Sequence, residues 1–216
     1  MTRRIYILVS LAVLLVACDR SGSTLPLDNV YPWQIVIQPD GKSRVFGITL
    51  NGSRLVDTRD VLGSDFKLAL FENKGESLTL EAYFKEVTLG GMSGRFILVL
   101  QAEQAELEAM RNRSVKRRVL DSGAVRYTLI SVDYRAATLK KVTGLNYIPY
   151  VNLDEMIVRQ RFGPPAERIV VDTNQQHWLY PAKGLDLLLD TRGKELLQYV
   201  VPADFDRLRQ PLGLYE

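Results

Sequence analysis

Apolar residues recur with a two-residue period along much of the chain, which is the spacing of half-buried β-strands. Turn residues such as glycine, proline and asparagine separate the runs, and the stretch PDGK at 39–42 predicts that the first two runs form a hairpin. The pattern therefore predicts antiparallel sheet. The strand-like runs are residues 33–38, 44–50, 66–71, 78–84, 96–100, 125–134, 168–171, 178–180, 185–189 and 195–201.

Short helices are predicted between these runs. One runs to about Leu62 and ends at Gly63, and another covers residues 152–162 and ends at Gly163. A longer helix is predicted over 101–119, with acidic residues in front and basic residues behind, an order that suits the helix dipole. The basic residues are either a solvated helix end or a contact for a membrane or partner: Arg111, Arg113, Lys116, Arg117 and Arg118.

A shift of 100 residues brings similar features of the two halves into coincidence. Arg59 and Gly63 fall on Arg159 and Gly163, and residues 69–72 fall on 169–172. A duplication or a chance recurrence of helix and hairpin would both explain this match. We predict an α+β fold with one or two modules, each a short helix followed by an antiparallel β-meander. The further coincidences at this shift place Leu78 and Leu80 on Trp178 and Tyr180, and Val87 and Leu89 on Leu187 and Leu189.

The amino-terminal segment has a different pattern, an almost unbroken apolar run over residues 5–16 that follows Arg3 and Arg4. This run is shorter than the roughly 20 residues that a spanning helix needs, and it has the layout of an export signal. It ends in Leu15-Val16-Ala17-Cys18, which resembles the lipobox of bacterial lipoproteins. The resemblance implies cleavage before Cys18, a lipid on its sulfur and acylation of the new amino terminus. An ordinary secretory signal or a buried strand is the alternative.

Asp19 follows the cysteine directly. In enteric bacteria an aspartate at this position resembles the signal that keeps a lipoprotein in the inner membrane, so an inner-membrane protein facing the periplasm is expected. The inner leaflet of the outer membrane is the alternative. The predicted organisation is a signal peptide at 1–17, a tether at 18–29, an amino-terminal module at 30–100, a helix and strand connector at 101–141, a carboxy-terminal module at 142–202 and a tail at 203–216.

Charge and cysteine content exclude several function classes. The 216-residue chain has 28 Lys and Arg against 25 Asp and Glu, and loss of Arg3 and Arg4 with the signal leaves 26 against 25. A general affinity for nucleic acid is therefore not expected. Cys18 is the one cysteine of the chain. Its lipidation would leave no thiol for a disulfide, a nucleophile or a zinc–thiolate site.

Candidates for catalysis are few. His177 is the single histidine, which excludes multi-histidine metal sites, and no Gly-x-Ser-x-Gly motif accompanies it. The glycine-rich stretch at 90–94 lacks the Gly-Lys-Ser/Thr ending of a phosphate loop and predicts a hairpin turn. Carboxylates such as Asp154 and Glu155, or Asp204 and Asp206, could pair in space or could cap helices. No cofactor or metal is expected.

A second resemblance lies in the carboxy-terminal half. Residues 158–165 read VRQRFGPP, and Trp178-Leu179-Tyr180 follows. This order is similar to the BamE/SmpA-like lipoprotein module, which runs helix, Gly-Pro and then a β-meander with a Trp-x-Tyr strand. The resemblance covers 142–202 and implies that fold and a part in outer-membrane assembly. The chain departs from the family in its additional amino-terminal module and in Asp19.

Interfaces favour tryptophan, tyrosine and arginine, which are concentrated in the carboxy-terminal module. The expected function is that of a lipid-anchored envelope protein which binds another envelope protein as an accessory or scaffold and is not an enzyme. A periplasmic hydrolase using carboxylates and a sensor of a small ligand are the alternatives. The candidate partner-binding residues are Tyr147, Tyr150, Arg159, Arg161, Trp178 and Tyr180. The alternative for each of the aromatic residues is a place in the core or at the rim of a small sheet.

Overall fold

A ten-stranded antiparallel sheet forms the body of the protein, and a three-stranded ribbon packs on it. The computed structural model describes residues 30–73 and 77–215. The predicted signal, the tether, Cys18 and Asp19 lie outside the described residues. The α+β class with an antiparallel meander is confirmed.

Most of the strand-like runs that the sequence predicts contain a strand. They are β1 (Val36–Ile37), β2 (Ser43–Val45), β3 (Ile48–Thr49), β4 (Lys67–Glu72), β5 (Thr79–Leu89), β6 (Met92–Leu100), β7 (Lys116–Val119), β8 (Val125–Thr128), β9 (Val142–Pro149), β10 (Glu167–Val170), β11 (Gln175–Tyr180), β12 (Leu185–Asp190) and β13 (Leu196–Tyr199). The helices are α1 (Arg59–Leu62), α2 (Gln104–Asn112), α3 (Ser131–Thr138), α4 (Glu155–Phe162) and α5 (Asp206–Arg209), with 3-10 turns at Leu55–Thr58, Pro181–Lys183, Pro202–Asp204 and Gln210–Tyr215.

The large sheet has the strand order β10-β11-β12-β13-β9-β6-β5-β4-β8-β7. The ribbon and helices α1 to α4 pack on one face, here called the front face, and share one apolar core with it. A second, smaller cluster lies on the back face, where the carboxy-terminal segment covers Ile169 and Leu179 with Phe205 and Leu212. The modules predicted at 30–100 and 142–202 are therefore two parts of one sheet with a common core.

The sheet contains two four-stranded units with the same element order. The first unit is β4-β5-β6-β9 and the second is β10-β11-β12-β13, and each follows a short helix. Those helices end at Gly63 and Gly163, which have nearly identical backbone angles of φ 81°, ψ −177° and φ 81°, ψ −175°. Only glycine adopts this region readily, so both stops need glycine. Shared strand order is what a duplication predicts.

Strand pairing shows where the 100-residue shift applies. The shift places Leu70 on Val170, but their partners Leu80 and Gln176 are 96 residues apart. Between β6 and β12 the shift falls to 89 residues, because Val99 corresponds to Leu188. The sequence-based equivalences beyond residue 172 are therefore wrong, because the turns of the second unit are shorter.

The two units meet at the β9–β13 pair. Asn146 and Gln198 are equivalent residues, 52 positions apart, and they pair with each other. This pairing is the signature of an approximate two-fold axis through the sheet. Phe46 of the ribbon lies against this junction, with its ring centroid 5.0 Å from that of Tyr147 and 6.1 Å from that of Tyr199. Phe46 and Gly47 form the two-residue turn between β2 and β3, and both have positive φ.

The connector at 101–141 departs from the sequence prediction. The predicted helix over 101–119 ends at Asn112, and its basic end is instead β7, which pairs with β8. The strand predicted at 125–134 ends at Thr128, after which α3 begins. The connector thus adds β8 and β7 to the edge of the first unit. Within residues 30–73 and 77–215, no helix is long and apolar enough to cross a membrane.

Candidate functional site: an open sheet edge beside an acidic pocket

Three of the six candidate partner-binding residues are core residues. Tyr147, Trp178 and Tyr180 are buried on the front face, because strand alternation turns them towards the ribbon and α4. The tyrosine hydroxyls are satisfied inside the protein, by the carbonyl of Ser93 for Tyr147 and by that of Gly163 for Tyr180. In this fold they cannot contact a partner directly.

Burial also changes the acidity of these tyrosines. It raises the pKa of Tyr147 and that of Tyr180 to about 12, because the phenolate form would lose its hydration in the core. The same cause holds the pKa of Tyr199 well above its ordinary value. The three rings are neutral at physiological pH, as an ordinary tyrosine is, and burial extends this neutral form further into the alkaline range.

The other three candidates lie at or near the surface, at different places. Tyr150 is half-buried and its hydroxyl donates to the carbonyl of Lys85, while the Arg95 guanidinium lies 5.8 Å from its ring centroid. Arg161 extends over the ring of Trp33 at 5.0 Å. Arg159 is exposed on α4. The six predicted residues therefore do not form one surface: three lie in the core, and the other three lie at separate places at or near the surface.

Helix α4 and strand β10 form one exposed surface, here called the α4–β10 surface: Met156, Arg159, Arg168 and Val170. The Asp154 carboxylate starts the helix by accepting a hydrogen bond from the backbone N–H of Ile157 at 2.7 Å. The next residue, Glu155, pairs with Arg168 at 3.1 Å, and the Arg168 guanidinium lies 4.0 Å from the ring centroid of Trp178. Met156 is 73% exposed and Val170 64% exposed, so the surface presents apolar side chains among its cations.

The outer edge of β10 is an edge of the whole sheet. The backbone N–H of Val171 donates to Gln175, so odd-numbered residues of β10 point their backbone groups at β11. The N–H and C=O groups of Arg168 and Val170 therefore point away from the sheet. No hydrogen bond to them from elsewhere occurs among the described residues. Such an edge can accept another strand.

An acidic pocket of about 240 Å³ lies beside this edge, between the start of α4 and the ends of β11, β12 and β13. Its floor is the front-face row of Gln176, Leu189 and Glu195, and Gln176 is the strand partner of Val170. None of the described lysine and arginine residues lines it. The lining residues are Asn152, Leu153, Asp154, Glu155, Gln176, Leu189, Asp190, Thr191 and Glu195.

Glu195 is the unusual member of this pocket. The two-residue alternation of the strand places it on the front face, together with Leu197 and Tyr199. Its side chain therefore points under α4, and the residue is only 5% exposed. Its buried Oε2 has no hydrogen-bond partner, and no ion pair to the carboxylate occurs within the described part of the chain. An unpaired buried polar group costs roughly 1–3 kcal/mol of folding free energy, more when charged.

The other carboxylates of the pocket already have partners. Asp154 caps α4 and Glu155 pairs with Arg168. Asp190 accepts hydrogen bonds from the Gln175 side chain and from the backbone of the following turn, and these bonds hold its pKa below the ordinary value. Among the described residues, no group of three or more His, Cys, Asp or Glu side chains could hold a metal ion. The pocket therefore offers one free carboxylate with acidic surroundings.

His177 lies on the opposite face of the sheet. Its Nδ1 is 2.9 Å from both carboxylate oxygens of Asp186, and both residues are buried. Burial raises the pKa of Asp186 above its ordinary value, and the hydrogen bond with His177 opposes that rise. Strand alternation places this pair away from the acidic pocket, since Gln176 and Trp178 face the front.

The basic cluster near the connector is divided between two elements. Arg111 lies in the last turn of α2 and pairs with Glu72, and Arg113, the residue after the helix, pairs with Asp133. Lys116, Arg117 and Arg118 are exposed on β7, the other edge strand. Charged residues on an edge strand discourage pairing with other chains, and β7 has three cations in its four residues, whereas β10 has one acidic and one basic residue, Glu167 and Arg168.

Comparison with known proteins gave no further assignment. No family model matches the chain, and no curated protein and no solved structure matches it.

Sequence reasoning missed Glu195 and the open edge. A signal for Glu195 was available, because a carboxylate occupies the apolar phase of the last strand, two residues before Leu197. The open edge of β10 had no local signal, since being an edge depends on which strands pair elsewhere.

Proposed function

We propose that this protein is a lipid-anchored lipoprotein of the bacterial envelope that binds another envelope protein as an accessory or scaffold in envelope assembly or maintenance. Acylated Cys18 would hold it in the inner membrane, facing the periplasm, with the inner leaflet of the outer membrane as the alternative. The proposed partner contact is the α4–β10 surface together with the open edge of β10. Binding rather than catalysis is proposed as its activity.

One observation supports the partner contact above the rest: an edge strand with outward backbone groups lies next to exposed Met156 and Val170 and to two arginines. Strand addition uses such an edge, since backbone hydrogen bonds supply affinity and neighbouring side chains supply specificity. The lipobox at Leu15 to Cys18 supports the anchor, and the BamE/SmpA-like order at 158–180 supports a role in envelope assembly.

The two alternative functions have weaker support. A hydrolase using carboxylates would need two carboxylates free to face a substrate, and in the acidic pocket Asp154, Glu155 and Asp190 already have partners. A sensor of a small ligand would favour a pocket of about 300–1,000 Å³ with a mostly apolar and aromatic lining. The pocket beside α4 is smaller, and a pocket of about 380 Å³ beside β4, β5 and β8 has Lys67, Arg126 and Thr128 in its lining.

The partner contact can be tested with a photo-crosslinking amino acid placed in the full-length lipoprotein in its host. Positions Met156 and Val170 should give the same discrete adduct, because both lie on the α4–β10 surface. Val132 on α3 is a matched control, since it is 61% exposed and lies over the other part of the sheet. Equal adducts from Val132, or none from Met156 and Val170, would contradict the proposal.

The anchor has a separate test. Cys18→Ser should leave the chain unprocessed or free it from lipid, as measured by mass spectrometry of the membrane fraction. Asp19→Ser should move the protein towards the outer membrane in an enteric host, measured by density-gradient fractionation. A processed, unlipidated Cys18→Ser form that stays in the membrane would argue against the anchor, and an unchanged gradient would argue against sorting by Asp19.

A further inference from the structure

We propose that the acidic pocket beside α4 receives the side chain of an arginine or lysine of the partner, with Glu195 as its counter-charge. This inference rests on the proposed function, since it specifies what the partner presents next to the β10 edge. It assigns a recognition role to a residue whose buried Oε2 has no hydrogen-bond partner among the described residues.

The shape and chemistry of the pocket fit a long cationic side chain. Leu153 and Leu189 are buried apolar residues in its lining, and they would contact the methylene stem. The charged end would then reach Glu195 on the floor, with Gln176 beside it. Charge-assisted hydrogen bonds to a carboxylate are the strong ones, and a guanidinium can make two in parallel.

The surrounding charges favour a cation and disfavour other ligands. Asp154, Glu155 and Asp190 line the same pocket, so an anion would meet four carboxylates. Their spacing does not suit a metal ion, because no three acidic or histidine side chains converge among the described residues. The charged end of a long side chain can pair with a single carboxylate, whereas a metal ion needs several ligands that converge on one point.

The pocket is also placed where a partner bound at β10 could reach it. Its floor residue Gln176 pairs directly with Val170, whose backbone groups point out at the edge. Lys194 does not fill the pocket, since its ammonium binds the Tyr150 carbonyl at 2.9 Å and the Asn152 side-chain oxygen at 2.8 Å. A strand added to β10 would lie two strand spacings, about 9.6 Å, from Gln176 and four, about 19 Å, from Glu195. The cationic side chain would therefore come from a segment of the partner that continues from the added strand over the pocket.

The test is a titration of the full-length protein in detergent micelles, with ¹³C-labelled leucine methyl groups, by capped arginine or capped lysine. The methyl signals of Leu153 and Leu189 should shift and saturate. Capped citrulline, which keeps the shape of arginine without its charge, should bind at least about tenfold more weakly. Glu195→Gln should lower the affinity for capped arginine by at least about tenfold, while Asp121→Asn on the exposed β7–β8 turn should leave it unchanged.

Equal binding of citrulline, equal binding by Glu195→Gln, or no saturable shift at the two leucines would overturn the inference. The remaining leucine signals report whether Glu195→Gln keeps the fold. The crosslinks at Met156 and Val170 separate this inference from the proposed function. If those adducts persist while the arginine titration fails, only the role of the pocket is wrong.

Discussion

The two four-stranded units follow the same plan and differ at their outer edges. In the first unit the outer strand β4 pairs with β8 of the connector, so its edge is covered. In the second unit the equivalent strand β10 has no neighbour on its outer side among the described strands. The outer strand of the first unit is thus covered by the connector, whereas that of the second unit is open and carries the exposed Arg168 and Val170.

The two units also differ in the front-face residues at the outer end of the sheet beneath each short helix, here called the corner of the unit. Gln176, Leu189 and Glu195 of the second unit correspond, by strand pairing, to Leu80, Leu100 and Thr143 of the first. Thr143 is the extra residue of a β-bulge, and Val142 takes the buried place opposite Leu100. The first corner is therefore apolar and closed, whereas the second contains a pocket with a free carboxylate. Where two units share a fold, the places at which one keeps unsatisfied groups are the candidates for function.

The largest effect is expected for Trp178→Ala. Trp178 is fully buried and corresponds to Ala82 in the first unit, so the second unit depends on this one large ring. The free energy of unfolding should fall by about 3–5 kcal/mol, as for other large aromatic deletions, measured by urea denaturation. Val170→Ala on the exposed surface is the control and should change it by less than about 0.5 kcal/mol. A loss below 1 kcal/mol for Trp178→Ala would show that the second unit is packed otherwise.

The two helix stops should respond alike. Gly63→Ala and Gly163→Ala each force a side chain into a backbone region that glycine alone adopts readily, so each should cost about 1–3 kcal/mol in thermal or urea unfolding. Gly213→Ala is a suitable control, because its added methyl group would meet nothing within 4 Å and its φ is not in the left-handed region. A large difference between Gly63→Ala and Gly163→Ala would break the equivalence of the two units.

Glu195→Leu should make the second corner resemble the first. Replacing the unpaired carboxylate by an apolar side chain should raise the free energy of unfolding, by about 1 kcal/mol, while removing the response to capped arginine. Glu195→Gln, which keeps the shape, should not give the same gain, because its amide is polar and would also be buried. Loss of stability in Glu195→Leu would indicate that the carboxylate has a structural partner.

The smallest effect at neutral pH is expected for Tyr180→Phe, which copies Phe84 of the first unit. The loss of the hydrogen bond to the Gly163 carbonyl should cost about 0.5–1.5 kcal/mol. Above pH 10 the wild-type protein should lose stability relative to the variant, so the difference in the free energy of unfolding should shrink and then favour Tyr180→Phe. The folded pKa of about 12 lies above the unfolded value of 10, so the unfolded chain loses this proton first, and stability falls as pH rises between them. Equal alkaline denaturation curves for both proteins would contradict this.

Local patterns predicted the elements whose partners are close in sequence. The hairpins and the helix stops at Gly63 and Gly163 were predicted correctly, because alternation and glycine act within a few residues. Strand β9 was missed although it lies at the junction of the units. Its Gly144, Asn146 and Pro149 are poor strand formers, and only pairing with β6 and β13 makes it a strand.

The opposite error occurred at β7. Its sequence KRRV follows α2 and contains good helix formers, so propensity favoured a longer helix. Pairing with β8, which local reasoning does not see, decides the outcome. The candidate site had the same limit: aromatic residues were visible as a group, but which of them would be buried depended on the register of the sheet.

The ribbon at 36–49 has a consequence for the order in which the chain can fold. The Tyr199 hydroxyl donates to the Pro32 carbonyl across 167 residues, and the Ser43 hydroxyl donates to the Val200 carbonyl across 157. The segment that contains Pro32 and Ser43 therefore waits for Tyr199 and Val200 before it can finish packing. Contacts of such long sequence separation slow folding. During synthesis the ribbon therefore stays without these two contacts until residue 200 has been made.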